Sequence, residues 1–248
     1  MIYLKSKEEI ELMRQSGRLV ALILSRLKEM VIPGVTTLEL DQWTEDFIRH
    51  HGATPAFKGY RGYPNTICAS VNYQVVHTIP SEERLKEGDI ISIDVGVKLN
   101  GYCGDAAATF PVGKVSPEAM RLMEVTQQSL YRGIEQAVVG NRVGDISHAV
   151  QTYAEENGFS VVREYTGHGI GRDMHEEPQV PHFGSPYTGP RLREGMVLAI
   201  EPMLNAGSYQ VEVLSDGWTV VTKDRSLSAQ FEHMVAITSQ GPDILSKF

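Results

Sequence analysis

Two nine-residue stretches of this chain, 107 positions apart, nearly repeat each other, and each closes on an acid. Lys86-Glu87-Gly88-Asp89-Ile90-Ile91-Ser92-Ile93-Asp94 aligns with Arg193-Glu194-Gly195-Met196-Val197-Leu198-Ala199-Ile200-Glu201. A basic residue, Glu and Gly open each copy. An apolar run then carries a carboxylate to a place where burial is costly unless a cation meets it. The copy extends upstream at an offset of 106, matching Gly34 with Gly140, Leu40 with Ile146, Phe47 with Tyr153 and Gly52 with Gly158. Self-similarity over such a span marks a duplicated unit. Two copies predict a closed, pseudo-symmetric α+β domain rather than a solenoid, with halves that bring acids to a shared site.

Ser6 with Glu9 reads as a capping box. Ile10, Met13, Gly17, Val20, Leu24 and Leu27 then recur at helical spacing until Pro33-Gly34 stops the run. Further helices are predicted from Thr37 to His51, from Pro117 to Val138 and from Val143 to Asn157, closed by Gly52, Gly140 and Gly158. Ile90 to Val97 and Ala106 to Val112 read as strands joined at Asn100-Gly101, a hairpin signal. That turn sets Gly96 opposite Asp105, with Asp94 diagonal to it; a Leu99-Asn100 turn sets Asp94 directly opposite. Both registers point the two acids the same way.

Two like charges about 4 Å apart repel by roughly 4 kcal/mol at an effective dielectric near 20. Asp94 and Asp105 therefore need a shared proton or a cation. Three further groups are candidates to join them: Glu201, Glu232 in Gln230-Phe231-Glu232-His233, and His168 in Thr166-Gly167-His168-Gly169-Ile170-Gly171. An oxygen-rich set with one imidazole suits Mn²⁺, Fe²⁺ or Co²⁺ better than the thiolate-rich sites of structural zinc. Bridging carboxylates would hold two metals about 3.5–4 Å apart, an arrangement that activates water. Singly, each acid reads as a solvated turn or strand-edge charge, and the histidine as a loop residue. Together, with two of them related by the repeat, they favour a site.

A chain of 248 residues accommodates one large domain or two fused halves. A net charge of −8 opposes a nucleic-acid-binding surface. Two cysteines, Cys68 and Cys103, are too few for a disulfide framework and fit a reduced, cytoplasmic setting. The apolar stretch Leu19 to Leu24 is too short to span a bilayer. It follows a charged amphipathic segment rather than a basic n-region, so neither a signal peptide nor a membrane partner is expected.

Gly167-His168-Gly169-Ile170-Gly171, Met174-His175-Glu176-Glu177-Pro178, Ala199-Ile200-Glu201-Pro202 and Gln230-Phe231-Glu232-His233 together resemble the methionine aminopeptidases, in their bacterial short (type I) form, of peptidase family M24. The resemblance also takes in Asp94-Val95-Gly96, Gly101-Tyr102-Cys103-Gly104-Asp105 and Val76-His77-Thr78-Ile79-Pro80, and covers essentially the whole chain. It implies the pita-bread (creatinase/aminopeptidase) fold, α+β, with pseudo-two-fold duplicated halves and antiparallel sheet covered by helices. One catalytic domain, 1–248, would contain repeats near 34–112 and 140–238.

By the same resemblance, Asp94, Asp105, His168, Glu201 and Glu232 would ligate two divalent metal ions, with Asp105 and Glu232 bridging them. The ions would be cobalt, manganese or iron(II), with zinc and nickel as further options. Glu201 would take a proton from the attacking water, His175 would donate to the scissile carbonyl, and His77 would contact the scissile amide nitrogen. The methionine pocket would draw on Tyr60, Tyr63, Cys68, Met174 and Trp218, with Phe57 at its edge. Thr78 stands where the family usually has Gly, which would add a Cβ beside the substrate path. Met174 stands where an aromatic residue or leucine is frequent.

The implied activity is removal of the initiator methionine from nascent or newly made polypeptides with a small second residue. Methionyl peptides and nascent chains would be its substrates, the ribosome a candidate partner and the monomer its expected state. Two rivals remain open: a proline-directed peptidase of the same fold, and a metal-free binding protein on this scaffold.

Overall fold

The computed structural model describes residues 1–247. Four helices carry the chain between its sheets: α1 (Lys7–Met30), α2 (Thr37–His50), α3 (Pro117–Glu135) and α4 (Val143–Glu156). Ser6 caps α1, its backbone N–H donating to Glu9 Oε2 at 2.9 Å while the Glu9 N–H donates back to Ser6 Oγ at 3.2 Å. Thr36 and Glu39 repeat that device at α2. Met13, Val20, Ile23, Leu24 and Leu27 of α1 are fully buried, each worth about 1.5–3 kcal/mol of transfer free energy.

α2 and α4 end one residue before the predicted His51 and Asn157, and α1 and α3 end further ahead of their predicted stops. α1 ends at Met30 with Val31 as its C-cap, two residues ahead of Pro33, whose preceding residue Ile32 is disfavoured in the α region. α3 tightens into i→i+3 bonds, Gln136 N–H to Gly133 O and Ala137 N–H to Ile134 O, and unwinds toward Gly140 at φ +98°.

The hairpin Ile90–Leu99 with Tyr102–Pro111 turns at Asn100-Gly101, both at positive φ (52° and 83°). Its register pairs Gly96 with Asp105 and Asp94 with Ala107, the first of the two alternatives. Ile67–Val71 pairs with the other edge of Ile90–Leu99, setting Cys68 across from Asp94. The second sheet runs in the order Gly241–Ile244, His233–Thr238, Val197–Ile200, Gly167–Gly169, Glu176–Val180, antiparallel throughout.

The halves repeat each other bond for bond where the sequence does. Gly34 N–H donates to Leu85 O and Gly140 N–H to Leu192 O. Asp89 N–H turns back to Lys86 O, and Met196 N–H to Arg193 O. Gly88 and Gly195, at φ +95° and +89°, donate to Val112 O and Ile237 O. Those positive angles are open to Gly and strained for other residues, which is why a glycine recurs there. One apolar cluster, from Leu24 and Ile91 through Leu122 to Ile146 and Val235, fastens the halves together. No helix among the described residues is long and apolar enough to cross a membrane.

Candidate metal centre

The sheets meet where both halves deliver their acids. Asp94 and Asp105 project from the hairpin; Glu201 follows the Val197–Ile200 strand and Glu232 precedes His233–Thr238. Glu232 is tied to the first half by its backbone N–H, which donates to Ala107 O at 2.9 Å. Asp105, His168 and Glu232 are buried and each offers a ligand atom within 4.8 Å of the others. His168 Nε2 lies 3.8 Å from Asp105 Oδ2 and 3.5 Å from Glu201 Oε1. His168 Nδ1 sits 2.9 Å from Gly169 O, so the ring donates there and leaves the Nε2 lone pair facing the acids.

The electrostatics call for the acids to be neutralised, by protons or by a cation. Among the described residues no lysine or arginine pairs with any of the four acids. Asp94 Oδ1, Asp105 Oδ1 and Glu232 Oε1 are buried without a hydrogen-bond partner. Burial pushes Asp94 up to about 7. It also raises Asp105, Glu201 and Glu232 well above the carboxylate range, with neighbouring acids adding to the shift. Burial keeps His168 neutral by lowering it. Four carboxylates that resist ionisation, beside a neutral imidazole with a free lone pair, are the donor set a hard divalent ion satisfies. The residues fit a metal.

Around them lies a cavity of about 140 Å³, lined also by Phe57, Tyr60, Arg61, Tyr63, Cys68, His77, His175 and Trp218. A cavity of about 150 Å³ takes up benzene, so a methionine-sized side chain is within scale. Tyr63 stands edge-on to Trp218 at 5.2 Å, and its hydroxyl faces the carbonyls of Ile67 (2.8 Å) and Thr78 (3.0 Å). Asp216 accepts from the N–H groups of Trp218 and Thr219 and fixes the loop that presents the indole. Tyr60 stacks on His175 at 5.2 Å, with its hydroxyl 2.9 Å from His175 Nδ1. His175 is lowered, first by desolvation on its inner side and then by His168, Arg61 and His77. His77 is held at φ +59°, a left-handed backbone for a non-glycine residue, with its ring edge-on to Tyr165 at 5.3 Å.

Two expectations about the pocket differ from the structure. Met174 does not line this cavity; it is buried one layer behind, its methyl near the Cα of Gly96 beside the Phe57 ring. Thr78 turns its hydroxyl 3.1 Å from Ser70 Oγ and is likewise absent from the cavity wall. The Ile67–Val71 strand supplies that partner.

Four further residues lie near the site without a role read from the sequence. Arg61 forms part of the wall, its guanidinium 5.3 Å from the Tyr60 ring centre. Gln230 Nε2 lies 3.5 Å from Glu201 Oε2. Lys5 pairs with Glu176 next to His175, both side chains buried. His182, fully buried, accepts the Glu201 backbone N–H at Nε2 (3.0 Å). Tertiary folding brings these residues near the acids.

A pseudo-two-fold α+β fold with a buried carboxylate–imidazole cluster defines a metal-dependent hydrolase of the pita-bread class. The model for metallopeptidase family M24 matches residues 11–239. Methionine aminopeptidase 1 of Bacillus subtilis is 56% identical over 247 residues, covering all of both chains. Among solved structures, methionine aminopeptidase from Rickettsia prowazekii superposes with a TM-score of 0.98 at 44% identity, over 99% of this chain and all of that one. Prolidase from Pyrococcus furiosus, at 24% identity and a TM-score of 0.81, shares the fold over 99% of this chain and 65% of its own. The chain belongs to metallopeptidase family M24, within it to the methionine aminopeptidases.

Proposed function

We propose that this chain hydrolyses the first peptide bond of methionyl polypeptides, releasing the N-terminal methionine ahead of a small second residue. One observation carries the reading: four buried carboxylates and His168 converge beside a pocket walled by aromatic rings and a thiol. Sulfur–ring contacts worth about 0.3–1.5 kcal/mol each suit a thioether there.

Asp94, Asp105, His168, Glu201 and Glu232 would hold two divalent ions, cobalt, manganese or iron(II), with zinc and nickel as further options. When bound, such ions acidify water and polarise the scissile carbonyl. Glu201 takes the proton from the attacking water and later returns it to the departing amine. His175 donates from Nε2 to the carbonyl oxygen as negative charge develops there. Donation from Tyr60 O–H to His175 Nδ1 favours the tautomer with its proton on Nε2. His77 positions the amide nitrogen, and Phe57, Tyr60, Tyr63, Cys68 and Trp218 seat the side chain.

We read the whole chain, 1–248, as one catalytic domain containing both repeats (34–112 and 140–238), and expect it to act as a monomer in the cytoplasm on nascent chains, the ribosome being a candidate partner. Its unpaired, buried cysteines suit a reducing compartment. The test is hydrolysis of Met-Ala-Ser and of Xaa-Pro peptides by chelator-stripped protein reloaded with each metal in turn. Metal-restored release of methionine from Met-Ala-Ser alone is expected. Cleavage confined to Xaa-Pro would favour the proline-directed relatives, and cleavage of neither would favour a binding protein.

A further inference from the structure

Glu201 is the first residue beyond the Val197–Ile200 strand, at a point where the sheet has run out. On the side facing Gly167–Gly169, the ladder pairs Leu198 with Gly169 and Ala199 with His168, then stops. The next backbone N–H to need an acceptor belongs to Glu201. A side chain supplies it: His182 Nε2, 3.0 Å away. His182 lies two residues past the Glu176–Val180 strand, beyond Gly167–Gly169, so its ring reaches across the end of that strand.

We infer that His182 is a positioning residue for Glu201, its Nε2 lone pair standing in for the missing ladder carbonyl and fixing the direction in which the Glu201 side chain leaves the backbone. The inference rests on the proton-moving role proposed for Glu201. Three features set this histidine apart from an ordinary core residue. It is fully buried and does not line the cavity, so it acts through Glu201 and not on the substrate. Accepting at Nε2 places its proton on Nδ1, which is buried without a hydrogen-bond partner among the described residues, and commits the ring to one tautomer. Its backbone is anchored in turn, since the carbonyl of Pro181 accepts from Ser147 Oγ on α4.

The Glu201 carboxylate must reach His168 Nε2 and Gln230 Nε2, each 3.5 Å away, from a Cα that no strand holds on this side. A misplacement of about 1 Å at a reacting group can cost on the order of a hundredfold in rate. Asp94, its counterpart in the repeat, needs no such device: it is paired within the strand, to Cys68 on one side and Ala107 on the other.

The variants His182→Leu, His182→Gln and His182→Asn separate the acceptor from the volume. A glutamine carbonyl oxygen falls near the Nε2 position, whereas an asparagine oxygen stops a bond short. With Met-Ala-Ser as substrate and metal content measured in parallel, His182→Leu should lose about 10- to 100-fold in kcat with KM within about threefold, and His182→Gln should recover most of it. If His182→Leu does not fold, the Gln–Asn pair decides: Gln should exceed Asn in kcat by about tenfold or more. In a Glu201→Gln background, His182→Leu should leave the residual rate unchanged, a non-additivity that loss of packing alone would not produce. Equal kcat in the Gln and Asn variants, or full additivity, overturns the positioning role. An active Glu201→Gln enzyme would instead remove the role proposed for Glu201, a distinguishable failure.

Discussion

The halves deliver their acids by different means. In the first, Asp94 and Asp105 sit inside strands of ten residues each, Ile90–Leu99 and Tyr102–Pro111, whose ladder fixes both Cα positions. In the second, Glu201 and Glu232 lie just outside strands of four and six residues, Val197–Ile200 and His233–Thr238. They reach inward on a longer side chain and are held by separate bonds, Glu201 to His182 and Glu232 to Ala107 O. The longer side chain suits groups that must move a proton or adjust to a cation; the ladder-fixed aspartates suit a rigid floor. Duplication supplied matching acids, and the two copies then took different mechanical parts.

The largest effect that could break this contrast is at Glu201. Glu201→Gln keeps the size of the side chain and its neutral hydrogen bonds but removes the proton acceptor. Turnover of Met-Ala-Ser, with metal content measured in parallel, should fall by about 10²- to 10⁴-fold, the usual worth of general base catalysis. Turnover within a few-fold of the parent would leave the second half without its mobile role.

At the rigid floor the expectation has two signs. Asp105 is buried against Asp94 and Glu232, so without metal its ionisation is opposed by desolvation and by their charge. Asp105→Asn should therefore abolish metal-restored activity yet stabilise chelated protein. A gain of about 1 kcal/mol corresponds to about 2–4 °C in Tm for a chain of this size. Calorimetry in chelator checks it, and a fall in Tm would mean that Asp105 is held by contacts worth more than the repulsion.

The pH dependence sharpens the same point at Asp94. Its folded value of about 7 stands above its ordinary 3.8. Between those values the folded, metal-free protein holds the proton that the unfolded chain has released. Stability must then fall as pH rises through the window. Against Asp94→Asn, which lacks the ionisation, the parent should lose ground from about pH 4 to about pH 7, with no growing deficit below that range. Denaturant midpoints across the range provide the measurement; a flat difference would place Asp94 in a solvated or already neutralised setting.

Legibility in the sequence followed the same division. The hairpin and its register are readable because Asn100-Gly101 accepts positive φ at both positions and strand periodicity of two carries Asp94 and Asp105 to one face. The repeated Gly88 and Gly195 are readable because a left-handed turn favours glycine. In the second half, Glu201 and Glu232 are separated by a long excursion, from Pro202 to Phe231. Their joining was signalled only by the repeat and the family resemblance. His182, Gln230 and the Lys5–Glu176 pair escaped because a tertiary hydrogen bond across a sheet end leaves no local period to detect. Met174 is absent from the wall of the acid-lined cavity but lines an adjoining pocket with Tyr60 and His175, a placement that spacing does not encode.

The smallest expected effect tests that placement. A Cβ added at Gly96 would come 2.6 Å from Phe57 Cε1 and 2.7 Å from Met174 Cε, so both side chains must give way. The methionine end is flexible and the phenylalanine ring lines the cavity, so the strain passes into the pocket wall and not into the acids. Gly96→Ala should raise KM for Met-Ala-Ser by about three- to tenfold with kcat within about twofold, the signature of lost uniform binding. Met174→Ala in the same chain frees the space behind the ring and should return KM toward the parent. If kcat falls instead and KM holds, the hairpin backbone has moved Asp94, and the floor is less rigid than its ladder implies.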